Sequence, residues 1–510
     1  MNKKTALIKK ILTPISKAMM FVFTLCFGIV AVGATIANAN ENEVTSFLGG
    51  GGNNIVYIDG EDDAGASDFY QSDYNSVKEV RGKGFYFSQK MTEEGAVLLR
   101  NENNALPLAA GAKVSLFGAS SAKPVVSGYR EGQDKADGAI SFKQGLTDAG
   151  LIVNAELYDW YANSDYGRKS LYNSTSFGNV YSINEAPWSE LPESKIAADY
   201  KTAIFVVSRV GGEATDVQLR DLGEVSRGFD GKNGNYLILS AREEDVLSNL
   251  KAQKANGVFD KIVVIMNTTN QVACDFEDKY DVDALIYMGS TGSAGTKAVG
   301  EILVGKVNPS GKLADTFWKN HYLNPVLANW GAYSYNHDSA NHYSAYPFNG
   351  ASDYGSVVYR EGIYSGYRYT ETRYEDTVLG VPSAGDFVYS DAVAYPFGYG
   401  LSYSDFEYSD MQMSFDAEND SFEISVVVKN VRGMDGKNAV QLFLQKPYTD
   451  YDKANGIEKA SVELIDFAKT ETLAAGGDGE TVKFTVPRRE LACYDSYGER
   501  TYIAENGVYY

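Results

Sequence analysis

The chain has 510 residues, 44% of them hydrophobic, and a formal net charge of −21. That excess of carboxylates excludes a nucleic-acid partner, which requires clustered Lys and Arg. The only cysteines are Cys26, Cys274 and Cys493, and there are three histidines; this excludes a disulfide scaffold and leaves no cluster with zinc-ligand spacing, so neither metal nor cofactor is expected.

The first forty residues read as a targeting segment. Lys3, Lys4, Lys9 and Lys10 precede AMMFVFTLCFGIVAVGATIA, an uncharged run long enough to cross a bilayer. Ala37-Asn38-Ala39 fits a small-residue cleavage pattern. A cleaved signal peptide and a retained transmembrane anchor both remain open. Either one sends the remainder outward, because the positive flank stays in the cytoplasm. An extracellular or cell-surface location is expected. Residues 41–80 are polar and Gly-rich, a spacer with at most one short strand at VYI.

Apolar strands then alternate with helices. FSQKMTEEGAVLLRNE is a predicted helix, KVSLFGA a strand and SFKQGLTDAG a helix closed by a glycine. LIVNAEL and TAIFVVSR are predicted strands. SAREEDVLSNLKAQKANG is a helix with Ser240 as N-cap, Glu243 as its capping-box partner and Gly257 at its end. KIVVIMNTT and DALIYMG are further strands, and the helix AGTKAVGEILVG comes next. Uninterrupted apolar strands between helices mean a mostly parallel sheet covered on both faces, an α/β sandwich domain over 81–320. Residues 321–410 are an aromatic-rich linker. Five runs from 411 to 500, beginning with MQMSF and SFEISVVVKN, partly alternate between polar and apolar residues. They predict an all-β immunoglobulin- or fibronectin III-like sandwich. The 37 tyrosines serve either as core aromatics of such β-structure or as platforms for sugar rings.

SRVGGEATD (208–216) comes directly after the apolar strand TAIFVV. Ligands of α/β sheets bind beyond the carboxyl ends of strands. Gly211 and Gly212 permit a tight turn there, and Glu213 is a carboxyl group that could protonate a leaving oxygen if its surroundings raised its pKa. A solvated loop glutamate is the plain alternative. Arg209 could pair with Asp216 and shape the loop, or point to solvent. Lys123 and Arg130 could line a sugar site or be solvated loop charges. Trp160 could be a sugar platform or a helix-face core aromatic.

Five stretches occur in order and together resemble glycoside hydrolase family 3. EEGAVLLRNENNALPL (93–108) resembles the opening of that family's second domain, and SRVGGEATD resembles its acid/base loop. GEILVGKVNPSGKLADTF (300–317) resembles the segment closing its α/β sandwich. VYREGIYSGYRYTET with YPFGYGLSYSDFEY resembles its linker, and VVVKNVRGMDGKNAVQLFLQKP with ELIDFAKTETLAAG its fibronectin type III-like domain. The resemblance covers roughly 80–500. It implies an exo-acting retaining β-glycosidase, most often a β-glucosidase, acting on a β-linked glucoside or oligosaccharide through two carboxylates. By position, Glu213 matches the acid/base and Asp216 the aspartate of the loop. One departure is Ala214, where the family usually has a second glycine.

The family's nucleophile is an Asp on a (β/α)8 barrel, and no barrel pattern is visible. A permuted arrangement with the barrel last fits the order of segments. The expectation is that this chain stops before its nucleophile and hydrolyses nothing alone. A non-catalytic surface module that binds carbohydrate or a partner is the alternative. GSTGSAG (289–295) lacks the lysine of a P-loop and the spacing of a dinucleotide fingerprint; it reads as a strand-to-helix turn capped by Ser or Thr. No G-x-S-x-G elbow occurs, and the histidines at 321, 337 and 342 fall outside the predicted α/β core, which excludes a Ser/His/Asp hydrolase.

Overall fold

A computed structural model describes residues 3–39, 73–126, 138–168, 183–210, 236–329 and 359–510. The chain forms two compact units, Met1–Asn75 and Ser76–Tyr510. Among the described residues, the first contains one helix, α1 (Lys3–Ala39). Its Thr13–Asn38 stretch has a mean hydropathy of 2.3 and is long and apolar enough to cross a membrane. Two of its hydroxyls are turned back onto the helix, Thr24 Oγ1 donating to Met20 O and Thr35 Oγ1 to Ala31 O, each at 2.8 Å. That satisfies them without water.

The second unit begins with α2 (Val77–Gly95), N-capped by Ser76, whose side chain accepts from Glu79 N at 3.2 Å. The helix predicted over this region therefore starts earlier and ends at Gly95. AVLLRN leaves it to become β1 (Val97–Asn101). Val97, Leu98 and Leu99 are all buried, and pairing with the strand at Ala284–Tyr287 outweighs their modest helix preference. The next elements are β2 (Lys113–Phe117), α3 (Phe142–Ala149), β3 (Ile152–Val153), α4 (Ala155–Asn163) and β4 (Thr202–Arg209). After them come α5 (Ala241–Ala255), β5 (Lys261–Thr268), β6 (Ala284–Tyr287) and α6 (Gly295–Leu303). The strand expected over LIVNAEL shrinks to two residues, because Asn154 turns the chain into α4 by accepting from Leu157 N at 3.2 Å.

The six strands order as β1-β6-β5-β4-β2-β3, with only β1 antiparallel to its neighbour. β4 shows why its sequence lacks alternation. Ala203, Phe205 and Val207 enter the core on one face, and Ile204 and Val206 enter the core on the other. Each fully buried side chain of this size contributes about 1.5–3 kcal/mol. α3 and α6 pack through glycines: a Cβ on Gly145 would lie 2.6 Å from the backbone of Thr296, and one on Gly300 would lie 2.6 Å from Gly145 O.

β7 (Phe317–Trp318) and β8 (Val393–Tyr395) pair beside the sheet. Between them lies α7 (Tyr367–Leu379), a helix within the stretch expected to be linker. Only Thr370 of it is buried, so its sequence carries no strong apolar stripe. Tyr367 secures it to the C-terminal part of the chain: its ring stacks on Phe397 at 4.4 Å, and its hydroxyl accepts from Leu464 N at 2.8 Å.

That C-terminal part is an antiparallel sandwich. Its strands are β9 (Asp405–Asp416), β10 (Ser421–Arg432), β11 (Ala439–Leu444), β12 (Glu463–Lys469) and β13 (Glu480–Pro487). One sheet orders as β13-β10-β9 and the other pairs β11 with β12. All five runs predicted from 411 onward are strands, and the first begins six residues earlier, at Asp405. Val428, Val440, Val482 and Phe484 fill the space between the sheets. The sandwich is bonded to the α/β domain. Lys469 Nζ donates to Glu94 Oε2 at 2.9 Å and to Ser310 Oγ at 3.0 Å, and Tyr403 Oη donates to Ile302 O at 3.0 Å. Cys274 is buried, Cys493 is half-buried, and both are free thiols.

Candidate functional site at the switch point

The chain winds from β2 outward to β3 and then returns to place β4 on the opposite side of β2. The reversal opens a crevice beyond the carboxyl ends of β2 and β4, where Phe117 lies opposite Phe205. Gly118 ends β2 with φ +89°, and a Cβ there would meet Phe205 Cε2 and Val206 O at 2.9 Å. Gly118→Ala should therefore cost about 2 kcal/mol or more, measured as a lowered urea midpoint.

Beyond Gly118 the chain makes one helical turn, Ala119–Ala122. The buried carboxylate of Glu185 accepts from Ala119 N and Ala186 N, both at 2.9 Å. Ser120 Oγ and Ser208 Oγ are 2.6 Å apart. Arg168 spans this gap: Nη1 donates to Ser208 Oγ at 2.9 Å and Lys123 O at 2.8 Å, and Nη2 to Pro124 O at 3.0 Å. At the end of β5, Asn267 Oδ1 accepts from Val125 N at 2.6 Å, while Nδ2 donates to Val125 O and Gly289 O. One amide thus stitches the loops after β2 and β6 together. Neither Glu185 nor Asn267 was singled out by sequence reasoning. A polar residue ending an apolar strand run was the available signal for Asn267.

Arg209, the last residue of β4, is fully buried. Its guanidinium makes a fork with Glu243, Nη1 to Oε1 and Nη2 to Oε2, both at 2.8 Å. Nε donates to Tyr236 O at 2.6 Å, Nη2 to Ile238 O at 2.7 Å, and Val210 N donates to Tyr236 Oη at 3.0 Å. Val210 and Tyr236, the described residues on either side of 211–235, are thereby held side by side. Glu243 has a second duty: its Oε2 accepts from Ser240 N at 2.8 Å, and Ser240 Oγ accepts from Glu243 N at 3.2 Å, completing the expected capping box. The solvent-pointing alternative for Arg209 is overturned, because a guanidinium this buried needs a partner, and Glu243 supplies it. Glu213, Ala214 and Asp216 lie in 211–235, outside the described residues, as does Arg130.

Lys123 is not a solvated charge; its Nζ donates to Ser164 O at 2.9 Å and also to Tyr166 O. Trp160 is half-buried, packing against the core and lining an open groove. GSTGSAG is a turn, but α6 receives no cap from within it; Ser88 Oγ, from α2, accepts from Ala294 N at 3.1 Å. His321 is buried beside the carbonyls of Leu237 and Gln271 but belongs to neither core cluster of the α/β domain; His337 and His342 lie outside the described residues. Burial pushes the His321 imidazole down to about 4, the carbonyls of Leu237 and Gln271 only partly opposing it. Its unfolded value is near 6.5. The folded state therefore refuses a proton that the unfolded state takes up. Stability from this group is complete above pH 6.5 and falls as pH drops towards about 4, by up to about 3 kcal/mol. Urea titrations of the wild type across that window should show this slope, and His321→Asn should flatten it.

The fold defines a class: a doubly wound α/β domain with a buried Arg209–Glu243 pair beside its switch point, joined to a fibronectin-like sandwich. Residues 96–367 match the family model of the glycosyl hydrolase family 3 C-terminal domain, and 438–510 that of a fibronectin type III-like domain. The chain belongs to glycosyl hydrolase family 3. It is 28% identical over 410 residues to a beta-glucosidase of Ruminococcus albus, covering 80% of this chain and 36% of that protein. It is 28% identical over 453 residues to beta-glucosidase A of Butyrivibrio fibrisolvens, covering 82% and 48%. Beta-glucosidase 3B of Thermotoga neapolitana, solved with alpha-D-glucose, superposes with a TM-score of 0.64 at 27% identity, covering 85% of this chain and 52% of that one. The chain thus spans about half or less of the length of these relatives.

Proposed function

We propose that this chain supplies the acid/base half of a retaining, exo-acting β-glucosidase of carbohydrate catabolism, with Glu213 as the acid/base. The observation that carries the reading is the Arg209 clamp. It joins Val210 to Tyr236 beyond the carboxyl end of β4, and Glu213 follows three residues past Val210, about 11 Å of fully extended chain. In this role Glu213 protonates the departing glycosidic oxygen. It then takes a proton from the water that opens the glycosyl-enzyme intermediate. Asp216 shapes the loop, and Arg209 is a positioning residue. The nucleophilic Asp comes from a barrel domain, as the family resemblance implies.

The names of the relatives support a β-linked glucoside as substrate. A targeting role for α1, as signal peptide or membrane anchor, fits an extracellular or cell-surface enzyme. The test is hydrolysis of nitrophenyl β-glucoside by the protein expressed from its full reading frame, with and without Glu213→Gln. Turnover that depends on Glu213 supports the reading. No turnover at all selects the non-catalytic surface module.

A further inference from the structure

The exposed apolar side chains of β9, Met411, Met413 and Phe415, and those of α2 show nothing of what covers them. The groove along α4 offers more. It encloses about 770 Å³ and is lined by Trp160 and Tyr166, whose rings lie 6.4 Å apart and 31° from parallel. Trp160 is held edge-on by Tyr161 at 4.9 Å, and Tyr166 is held by its hydroxyl, which donates to Glu190 Oε2 at 2.5 Å. The backbone beneath is fixed as well. Lys123 ties down the carbonyls of Ser164 and Tyr166, and Asn184 Nδ2 donates to Gly167 O at 3.1 Å. The platform is therefore built before any ligand arrives, which lowers the ordering cost of binding.

Asp159, Asn163, Asp165 and Glu190 line the same groove. Carboxylates and amide oxygens accept hydrogen bonds, so they suit a ligand rich in hydroxyl donors. Glu156 and Lys195 complete the lining and pair with each other at 2.9 Å, so the remaining carboxylates leave the groove net negative and disfavour phosphates, sulfates and uronates. A pair of aromatic faces suits the C–H faces of successive pyranose rings. Arg168, two residues past Tyr166, reaches Ser208 at the end of β4, so the segment that carries Tyr166 is tied to the switch point.

We propose that this groove is an accessory binding site for a neutral oligosaccharide, holding a glucan chain along α4. The inference goes beyond the acid/base reading and does not depend on it, because binding here needs no chemistry from Glu213.

The test uses the full 510-residue chain and two probes, cellotetraose and laminaritetraose, with titration calorimetry and tryptophan fluorescence as readouts. At least one of the two should bind. Trp160→Ala should weaken that binding about tenfold, equivalent to ~1.4 kcal/mol. Asp165→Asn, an exposed substitution that leaves the core untouched, should weaken it severalfold, and Glu213→Gln should leave it unchanged. Near-ultraviolet circular dichroism checks that Trp160→Ala remains folded; if it does not, Asp165→Asn and Tyr166→Ala decide. The proposal is overturned if neither sugar binds, if the groove variants bind as the wild type does, or if Glu213→Gln alone abolishes binding. It is overturned equally if tetragalacturonate binds as tightly. Failure of the groove leaves Glu213-dependent hydrolysis as a separate result.

Discussion

Arg209→Met should lower the stability of the folded unit by about 3–5 kcal/mol, the range for breaking a buried ion pair by removing one partner. The reason lies in what remains. Glu243 is almost fully buried, and its carboxylate would face the vacated space with only the Ser240 amide as a donor. The carbonyls of Tyr236 and Ile238 would lose their donors in the same step. Arg209→Lys should recover less than half of the loss, because an ammonium cannot span two carboxylate oxygens and two carbonyls at once. Arg209→Met combined with Glu243→Leu should be milder than Arg209→Met alone, since no unpaired charge stays inside. Urea unfolding monitored by circular dichroism measures all three. A cost for Arg209→Met within about 1 kcal/mol of zero would contradict the clamp, because it would place the pair among weak surface bridges.

On the acid/base reading, Glu213→Gln should reduce kcat/KM by about 10²–10⁴ for a β-glucoside with a poor leaving group, assayed in the protein expressed from its full reading frame. An amide of the same shape keeps the volume and most hydrogen bonds but has no proton to give. The loss should shrink for a dinitrophenyl glucoside, whose phenolate departs without protonation. The alkaline limb of the pH profile should also disappear, because that limb reports the ionisation of the acid. A variant that merely disturbed the loop would lower both substrates alike and leave the profile shape intact. Arg209→Lys is the matching positioning control. It should lower turnover without changing the ratio between the two leaving groups.

Much of the fold was legible because its signals are local. TAIFVVSR reads as a strand buried on both faces, since no polar residue interrupts its apolar run, and all of β4 is buried. Ser240 and Glu243 announce α5 through their spacing alone. What stayed hidden depends on distant partners. The fate of Arg209 rests on Glu243, which is 34 residues away and already assigned to a cap. α7 is polar over most of its length and is held by the stacking of Tyr367 on Phe397, which no periodicity reports. Asn267 and Glu185 act by bonding loops that the sheet order brings together, so their roles emerge only once β2, β4, β5 and β6 are in register. The order of an α/β domain followed by a β-sandwich could be read from the residues alone. The clamp that joins Arg209 and Val210 to Tyr236 and Glu243 could not.

The most direct test of Glu213 as acid/base is product analysis with azide. Glu213→Gln, in the protein from the full reading frame, is given dinitrophenyl β-glucoside and sodium azide. With the base gone and the glycosyl-enzyme formed, the small anion approaches past a neutral amide that no longer repels it and attacks without needing deprotonation. The account predicts that azide accelerates turnover and that β-glucosyl azide, with retained configuration, accumulates. Turnover of Glu213→Gln at the wild-type rate, or a variant that azide neither accelerates nor converts to that product, would contradict it.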